Sequence, residues 1–317
     1  MASSRVFFIT DVHGSTKCFR KFLNAAKFYN ANVLVLGGDI TGKLLIPIIE
    51  QGDGTFSCAF EGDELTLKNR AEVDGIAARA NESGYYTQLM TKREYEETAA
   101  DPKNVKAAFD KAMVGRVGEW VRLAEERLAK TGVSCYISPG NDDIFDIDPV
   151  LSSSSYVVNP EGRVVSIDGD HEMITLGFTN HTPWNSPREV DEDELGKMIE
   201  GMAANVRNMQ SAIFNIHVPP IDTLIDKAPM VDRNLRVVVK GNQVQMVSAG
   251  SSACRNAIET HQPLLGIHGH IHESKGIVKI GRTICANPGS EYGEGILRGF
   301  LAQLEGDRMK SYLLTSG

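Results

Sequence analysis

Short apolar runs, each closed by glycine, asparagine, aspartate or histidine, punctuate this chain. RVFFIT (5–10) ends at Asp11-Val12-His13-Gly14, VLVL (33–36) at Gly37-Gly38-Asp39, and VSCYIS (133–138) at Pro139-Gly140-Asn141-Asp142-Asp143. AIFNI (212–216) delivers His217 ahead of two prolines, and LLGI (264–267) runs into His268, His270 and His272. Such runs, bounded by turn residues, predict buried strands. Residues 16–29 have helical spacing, so the first two strands predict a right-handed βαβ unit with both acidic tips at its carboxyl edge. Asp11 and His13 stand two apart, as do the three histidines; on extended backbone that spacing turns side chains to one side.

Residues 43–131 break the pattern. GDGTFSCAFEGDEL (52–65) predicts a hairpin. Charged helical segments follow, the clearest at 104–130, where Asp101-Pro102 marks the start and an apolar stripe includes Phe109, Val117, Trp120 and Leu128. This segment holds no catalytic cluster and is expected to be a helical insertion or cap within a single 1–317 domain. Short strands are predicted at 164–167 and 173–178, then a polar loop, 179–189, with His181, Trp184 and Arg188. That loop reads equally as substrate recognition and as an exposed connection. An acidic amphipathic helix (190–209) follows, and strands at 235–240 and 244–247 are joined by Gly241-Asn242. A serine-capped helix (251–260) precedes the histidines. Strands at 276–280, 282–286, 297–304 and 309–314 and a turn at Asn287-Pro288-Gly289-Ser290 complete the pattern, without internal repeats or a linker.

Composition narrows the class. Hydrophobic residues make up 42% and charged residues 23%, which describes a globular protein with ample core. A net charge of −8 argues against a nucleic-acid partner, although bound metal ions reverse a local field enough to admit a small phosphorylated substrate. Five cysteines share no short spacing and read as reduced thiols in a cytoplasmic protein. MASSRVFFIT lacks the apolar region of a signal peptide, and no run is long enough for a membrane span.

The strand ends collect Asp11, His13, Asp39, Asn141, His217, His270 and His272: two carboxylates, an amide and four imidazoles. Seven mixed nitrogen and oxygen ligands exceed a catalytic zinc site with its three protein ligands. They suit two divalent ions about 3.5–4 Å apart. Asn141 in isolation reads as ordinary turn chemistry, and the constellation is what raises it to a ligand.

The series DVH (11–13), GGD (37–39), GND-D (140–143), His217 and GHIH (269–272) resembles, in order, the motifs of the calcineurin-like metallophosphoesterase superfamily. NPGS (287–290) resembles the turn that follows there, and the Icc-like bacterial and archaeal members are the most similar. The resemblance implies a four-layer α/β/β/α sandwich of two mixed sheets. It implies Asp11, His13 and His272 on one metal, Asn141, His217 and His270 on the other, and Asp39 bridging them, with Asn141, Asp39 and Asp142 as the catalytic residues. Asp143 would orient a ligand or hold its loop, and His268 falls outside the motif as a supporting histidine. Asp142 stands where the family has a histidine credited with protonating the leaving oxygen. As a carboxylate it repels an anionic substrate, and only with a raised pKa would it serve as an acid. The expected activity is phosphate-ester hydrolysis by water activated between two divalent ions, a phosphodiester being favoured. Mn, Fe, Zn or Ni fit these ligands, with Mn favoured. A phosphomonoesterase, a binding scaffold with this fold and a nuclease are the rival readings. Arg188 is the one cation noted for a monoester dianion.

Overall fold

In the computed structural model, which describes residues 3–317, β1 (Ser3–Ile9) divides its side chains between two cores. Phe7 and Ile9 pack against helices, while Val6 and Phe8 face a second sheet. Burial on both faces is why RVFFIT reads as a continuous apolar run. The Ser15 hydroxyl accepts from the backbone of Cys18 and starts α1 (Thr16–Phe28), which returns the chain to β2 (Val33–Gly37), parallel to β1.

The 43–131 segment holds more than a hairpin and helices. β3 (Leu45–Glu50), β4 (Phe56–Phe60), β5 (Asp63–Leu67) and β6 (Tyr86–Thr91) form a sheet in the order β5-β4-β3-β6, with β3 and β6 parallel. α2 (Arg70–Glu82) packs Val73, Ile76 and Ala80 on it, and α3 (Lys92–Ala99) follows. α4 (Pro102–Leu128) begins where Asp101-Pro102 predicts. Its carboxyl-terminal half joins the outer helix layer: Val117, Trp120, Val121, Ala124 and Leu128 share a core with α1, and Trp120 stacks on Phe19 with ring centroids 4.2 Å apart.

β7 (Ser134–Ser138) lies parallel to β2, and α5 (Asp148–Leu151) leads to β8 (Val157–Val158). The second sheet takes β9 (Val164–Ser166), β10 (Glu172–Leu176) and, after α6 (Glu192–Ala203), β11 (Ile213–Ile216). An excursion follows with β12 (Lys227–Pro229), β13 (Val239–Lys240), β14 (Gln243–Val244) and β15 (Met246–Ser248). The hairpin expected around Gly241-Asn242 is reduced to two residue pairs, because Met246–Ser248 pairs with Lys227–Pro229 instead. α7 (Ser252–His261) precedes β16 (Leu265–Ile267), β17 (Gly276–Ile280) and β18 (Thr283–Asn287). β19 (Arg298–Glu305) and β20 (Arg308–Ser316) return to the first sheet.

The sheets run β20-β19-β1-β2-β7-β8 and β17-β18-β16-β11-β10-β9, each with parallel strands in its middle. Val6, Phe8, Val33 and Val35 meet Met173, Ile213, Leu265 and Ile267 between them. α1 and α4 cover the outer face of the first sheet, and α6 and α7 that of the second. This is the expected α/β/β/α sandwich. The five cysteines are free and buried. Among the described residues no helix is long and apolar enough to cross a membrane. The parallel strands β1, β2, β7, β11 and β16 all end at one edge, where an open α/β sheet binds its ligands.

Candidate metal centre

The tips of β1 and β2 are joined by backbone bonds: Asp11 N to Gly38 O at 3.0 Å, His13 N to Asp39 O at 3.0 Å and Gly14 N to Ile40 O at 2.9 Å. From them Asp11, His13 and Asp39 point into one buried space, with Asn141 from β7 beside them. The second sheet contributes His217, whose Nδ1 donates to Gly37 O across the sandwich at 2.9 Å, and the half-buried His270 and His272. All seven expected ligands are therefore brought together. Asp11, His13 and His272 place one ligand atom each within 4.8 Å of one another, as do Asp39, His217 and His270, and as do His13, Asp39 and Asp142. Asn141 joins the second group through Oδ1, 2.8 Å from His270 Nδ1.

The convergence does not come from strand alternation. Asp11, His13, Asp39 and His270 all have left-handed backbone, with φ of 53°, 37°, 50° and 66°. Aspartate and histidine are among the residues that tolerate this conformation best. The three alternate histidines also diverge: β16 stops at Ile267, and His268 turns inward so that Nδ1 donates to Ile216 O at 2.8 Å. Gly269 lies so close that a Cβ there would meet Thr10 Oγ1 and Asp11 Oδ2, which leaves the His270 amide free to reach Asp11 Oδ1 at 3.2 Å.

Backbone carbonyls set the tautomers of two rings. Thr41 O accepts from His13 Nδ1 at 3.3 Å and Gly37 O from His217 Nδ1, which leaves Nε2 as the nitrogen each ring turns to the site. His217 Nε2 is buried without a hydrogen-bond partner, 3.4 Å from Asp39 Oδ1 and 3.8 Å from Asp11 Oδ1. His13 and His272 aim their Nε2 atoms at each other across 3.1 Å. An orphaned ring nitrogen facing two carboxylates, and two ring nitrogens facing each other, fit a site built for cations.

The charges are strongly coupled. Burial works against ionisation of Asp11, yet His217 and His272 hold it well below the usual carboxylate range. Burial raises Asp39 despite His217. His217 is held up to about 10: burial opposes the charged form, but Asp39 and Asp11 outweigh it. Burial, then Lys43 and His272, drives His13 well down, and burial with His217 takes His270 to about 4. His272 is raised because Asp11 overcomes burial.

Around this set, Asp143 holds the loop. It accepts from the amides of Ile40 (3.0 Å), Thr41 (2.8 Å) and Gly140 (2.7 Å) and from the Thr41 hydroxyl (2.6 Å). The Asp142 amide donates to Asp39 Oδ1 at 3.0 Å, and its carboxylate pairs with Lys43 Nζ at 2.8 Å. Arg188 does not reach the site: it is 1% exposed, with Nε on Asp143 O at 2.8 Å and a guanidinium nitrogen on Asp148 Oδ1 at 2.6 Å. Its loop does touch the centre, since Asn141 Nδ2 donates to Ser186 Oγ at 2.6 Å and thereby turns Oδ1 toward His270. Trp184 stands 63% exposed on the same loop. Sequence reasoning missed Lys43, which follows Asp39 by four residues in no recognisable pattern. It also missed the work of Asn287 and Ser290. Asn287 donates to Gly269 O and Ile271 O, pinning the histidine loop, and Ser290 donates to Asp11 O at 2.6 Å. The polar turn at the same edge was the available signal.

A crystal structure of TT1561 from Thermus thermophilus is 13% identical, with 100% of this chain and 99% of that one covered, at a TM-score of 0.55. A second solved structure, 15% identical and covering 99% of each chain, gives 0.60. Both likenesses run over essentially the whole of each chain and show a shared fold. In sequence, the chain is 31% identical over 153 residues to the uncharacterized protein MJ1162 of Methanocaldococcus jannaschii; the match takes in 47% of this chain and 61% of that protein. No family model matches.

Proposed function

We propose that this protein is a phosphoesterase that uses two divalent metal ions and favours phosphodiesters. The observation that carries the reading is the pair of adjoining donor groups, Asp11–His13–His272 and Asp39–His217–His270. In this reading Asn141 completes the second group and Asp39, lying between them, serves both. Divalent ions held there would lower the pKa of a water toward neutrality and offset the charge on a phosphate. Mn²⁺ is the favoured ion for this imidazole, carboxylate and amide set, with Fe, Zn and Ni as alternatives.

The chain's own residues prepare the site. Thr41 and Gly37 carbonyls fix the His13 and His217 rings, the Asp142 amide holds one oxygen of Asp39, and Ser186 orients the Asn141 amide. Burial of Asp11, His13, Asp39 and His217 keeps bulk water away, which strengthens every charge interaction inside. The diester preference rests on charge: Arg188 is committed elsewhere, and Lys43 is offset by Asp142, so a dianion finds little surplus positive charge beyond the ions.

The test is hydrolysis of bis-p-nitrophenyl phosphate and p-nitrophenyl phosphate by metal-stripped protein reloaded with Mn²⁺, Fe²⁺, Ni²⁺ or Zn²⁺. Metal-dependent turnover, faster for the diester, is expected, with Asp39→Asn about 100-fold or more slower. Two bound ions with no turnover of either ester would favour the scaffold reading.

A further inference from the structure

Lys43 sits on the rim of the metal centre and is fixed at its base. Thr41, two residues before it, is held by Asp143, and the Gly42 amide donates to the Tyr86 hydroxyl at 2.7 Å. Beyond that anchor the side chain is half exposed, and its ammonium has one carboxylate partner, Asp142 at 2.8 Å. An Asp142 oxygen in turn lies within 4.8 Å of ligand atoms on His13 and Asp39. Burial alone would lower Lys43, but Asp142, followed by Asp39, holds it above its ordinary value, and it stays a cation. Neighbouring arginines are committed: Arg116 to Gly14 O, Thr16 Oγ1 and Asn81 Oδ1, and Arg188 to the 143–148 loop.

A half-exposed ion pair is weak and exchanges partners readily. A lysine ammonium carries three donors on a flexible stem, so it can keep one bond to Asp142 while giving another to an entering anion. Resting on the phosphoesterase reading, we propose that Lys43 binds a non-bridging oxygen of the substrate phosphate and that Asp142 positions its ammonium. The pair then works as a charge filter. Its net neutrality suits the single charge of a diester, and removing the Asp142 carboxylate exposes the full Lys43 charge to a monoester dianion.

The experiment compares Mn²⁺-loaded wild type with Lys43→Met, Lys43→Arg and Asp142→Asn. It measures bound metal, inhibition by inorganic phosphate and kcat/KM for the two nitrophenyl esters. Lys43→Met should keep its metal while its phosphate inhibition constant rises and its diester kcat/KM falls by about 10- to 100-fold, the worth of one charge-assisted hydrogen bond. Lys43→Arg should recover most of that loss. Asp142→Asn should shift the diester-to-monoester ratio toward the monoester by about tenfold or more. Unchanged phosphate inhibition in fully loaded Lys43→Met overturns the proposal, as does equal loss in Lys43→Met and Lys43→Arg accompanied by loss of metal. A metal-loaded wild type that hydrolyses neither ester sinks the phosphoesterase reading itself, and this one with it. An active wild type with an indifferent Lys43→Met sinks this one alone.

Discussion

A buried imidazole whose second nitrogen has no partner accepts a proton only against the cost of burying the charge. His268 is such a group: it is fully buried, Nδ1 donates to Ile216 O, and Nε2 has no partner. Burial brings its pKa down to about 4 from 6.5. Between those values the unfolded chain binds more protons than the folded one, so stability rises with pH through that window. The contribution is complete above about 6.5 and is lost as pH falls to about 4, amounting to about 3 kcal/mol. His268→Gln, melted in chelator so that metal release does not intervene, should lose much of this acid limb. An unchanged difference in melting temperature between pH 4 and 7 would refute that assignment. The histidines at 268, 270 and 272 show what spacing can and cannot tell. Their common destination at a strand end is legible, because an apolar run must stop there. Their directions are not, because left-handed backbone at His270 and an inward carbonyl at Ile216 are tertiary facts. Arg188 misleads for the same reason: on a polar loop an arginine looks solvated, and only the fold supplies Asp148 and two carbonyls to bury it.

Among the elements, the four-stranded sheet was the least legible. β3 carries Pro47, which argues against a strand, yet β4 pairs only with Ile49 and Glu50 and leaves Pro47 unpartnered on that side. Its parallel partner β6 begins far along the chain, so no hairpin signal marks the pairing. The strands that end at the candidate ligands were readable because each is buried on both faces. The sheet reaches the candidate metal centre through the turn before β6. Gly84, with φ of 91°, lies so close to the His13 carbonyl that a Cβ would collide with it. Gly84→Ala should therefore cost about 1–3 kcal/mol and weaken Mn²⁺ binding by displacing His13. Gly75→Ala, inside α2 with nothing near its Cβ, is the control and should stabilise by up to about 1 kcal/mol. Calorimetric titration with Mn²⁺ reads the difference, and equal affinities in the two variants would rule out the coupling.

At the scale of the whole molecule, the seven candidate ligands divide between the sheets. Asp11, His13, Asp39 and Asn141 stand at the ends of first-sheet strands, and His217, His270 and His272 at the ends of second-sheet strands. Ions bound there would fasten the open edge of the sandwich. Mn²⁺ at about 100 times its dissociation constant should then add about 3 kcal/mol per ion, raising the melting temperature, and chelator should reverse it. Asp39→Asn should blunt the shift, and a wild type whose melting ignores all four metals would contradict the assignment. The left-handed backbone at Asp11, His13, Asp39 and His270 has a consequence of another kind. Each such position costs the fold up to about 1–3 kcal/mol that glycine would relieve. On the proposed function, stability and chemistry thus pull in opposite directions at these four places. A descendant released from its chemistry would drift toward glycine there first, so those four letters would record the loss of activity in a sequence before anything in its core changed.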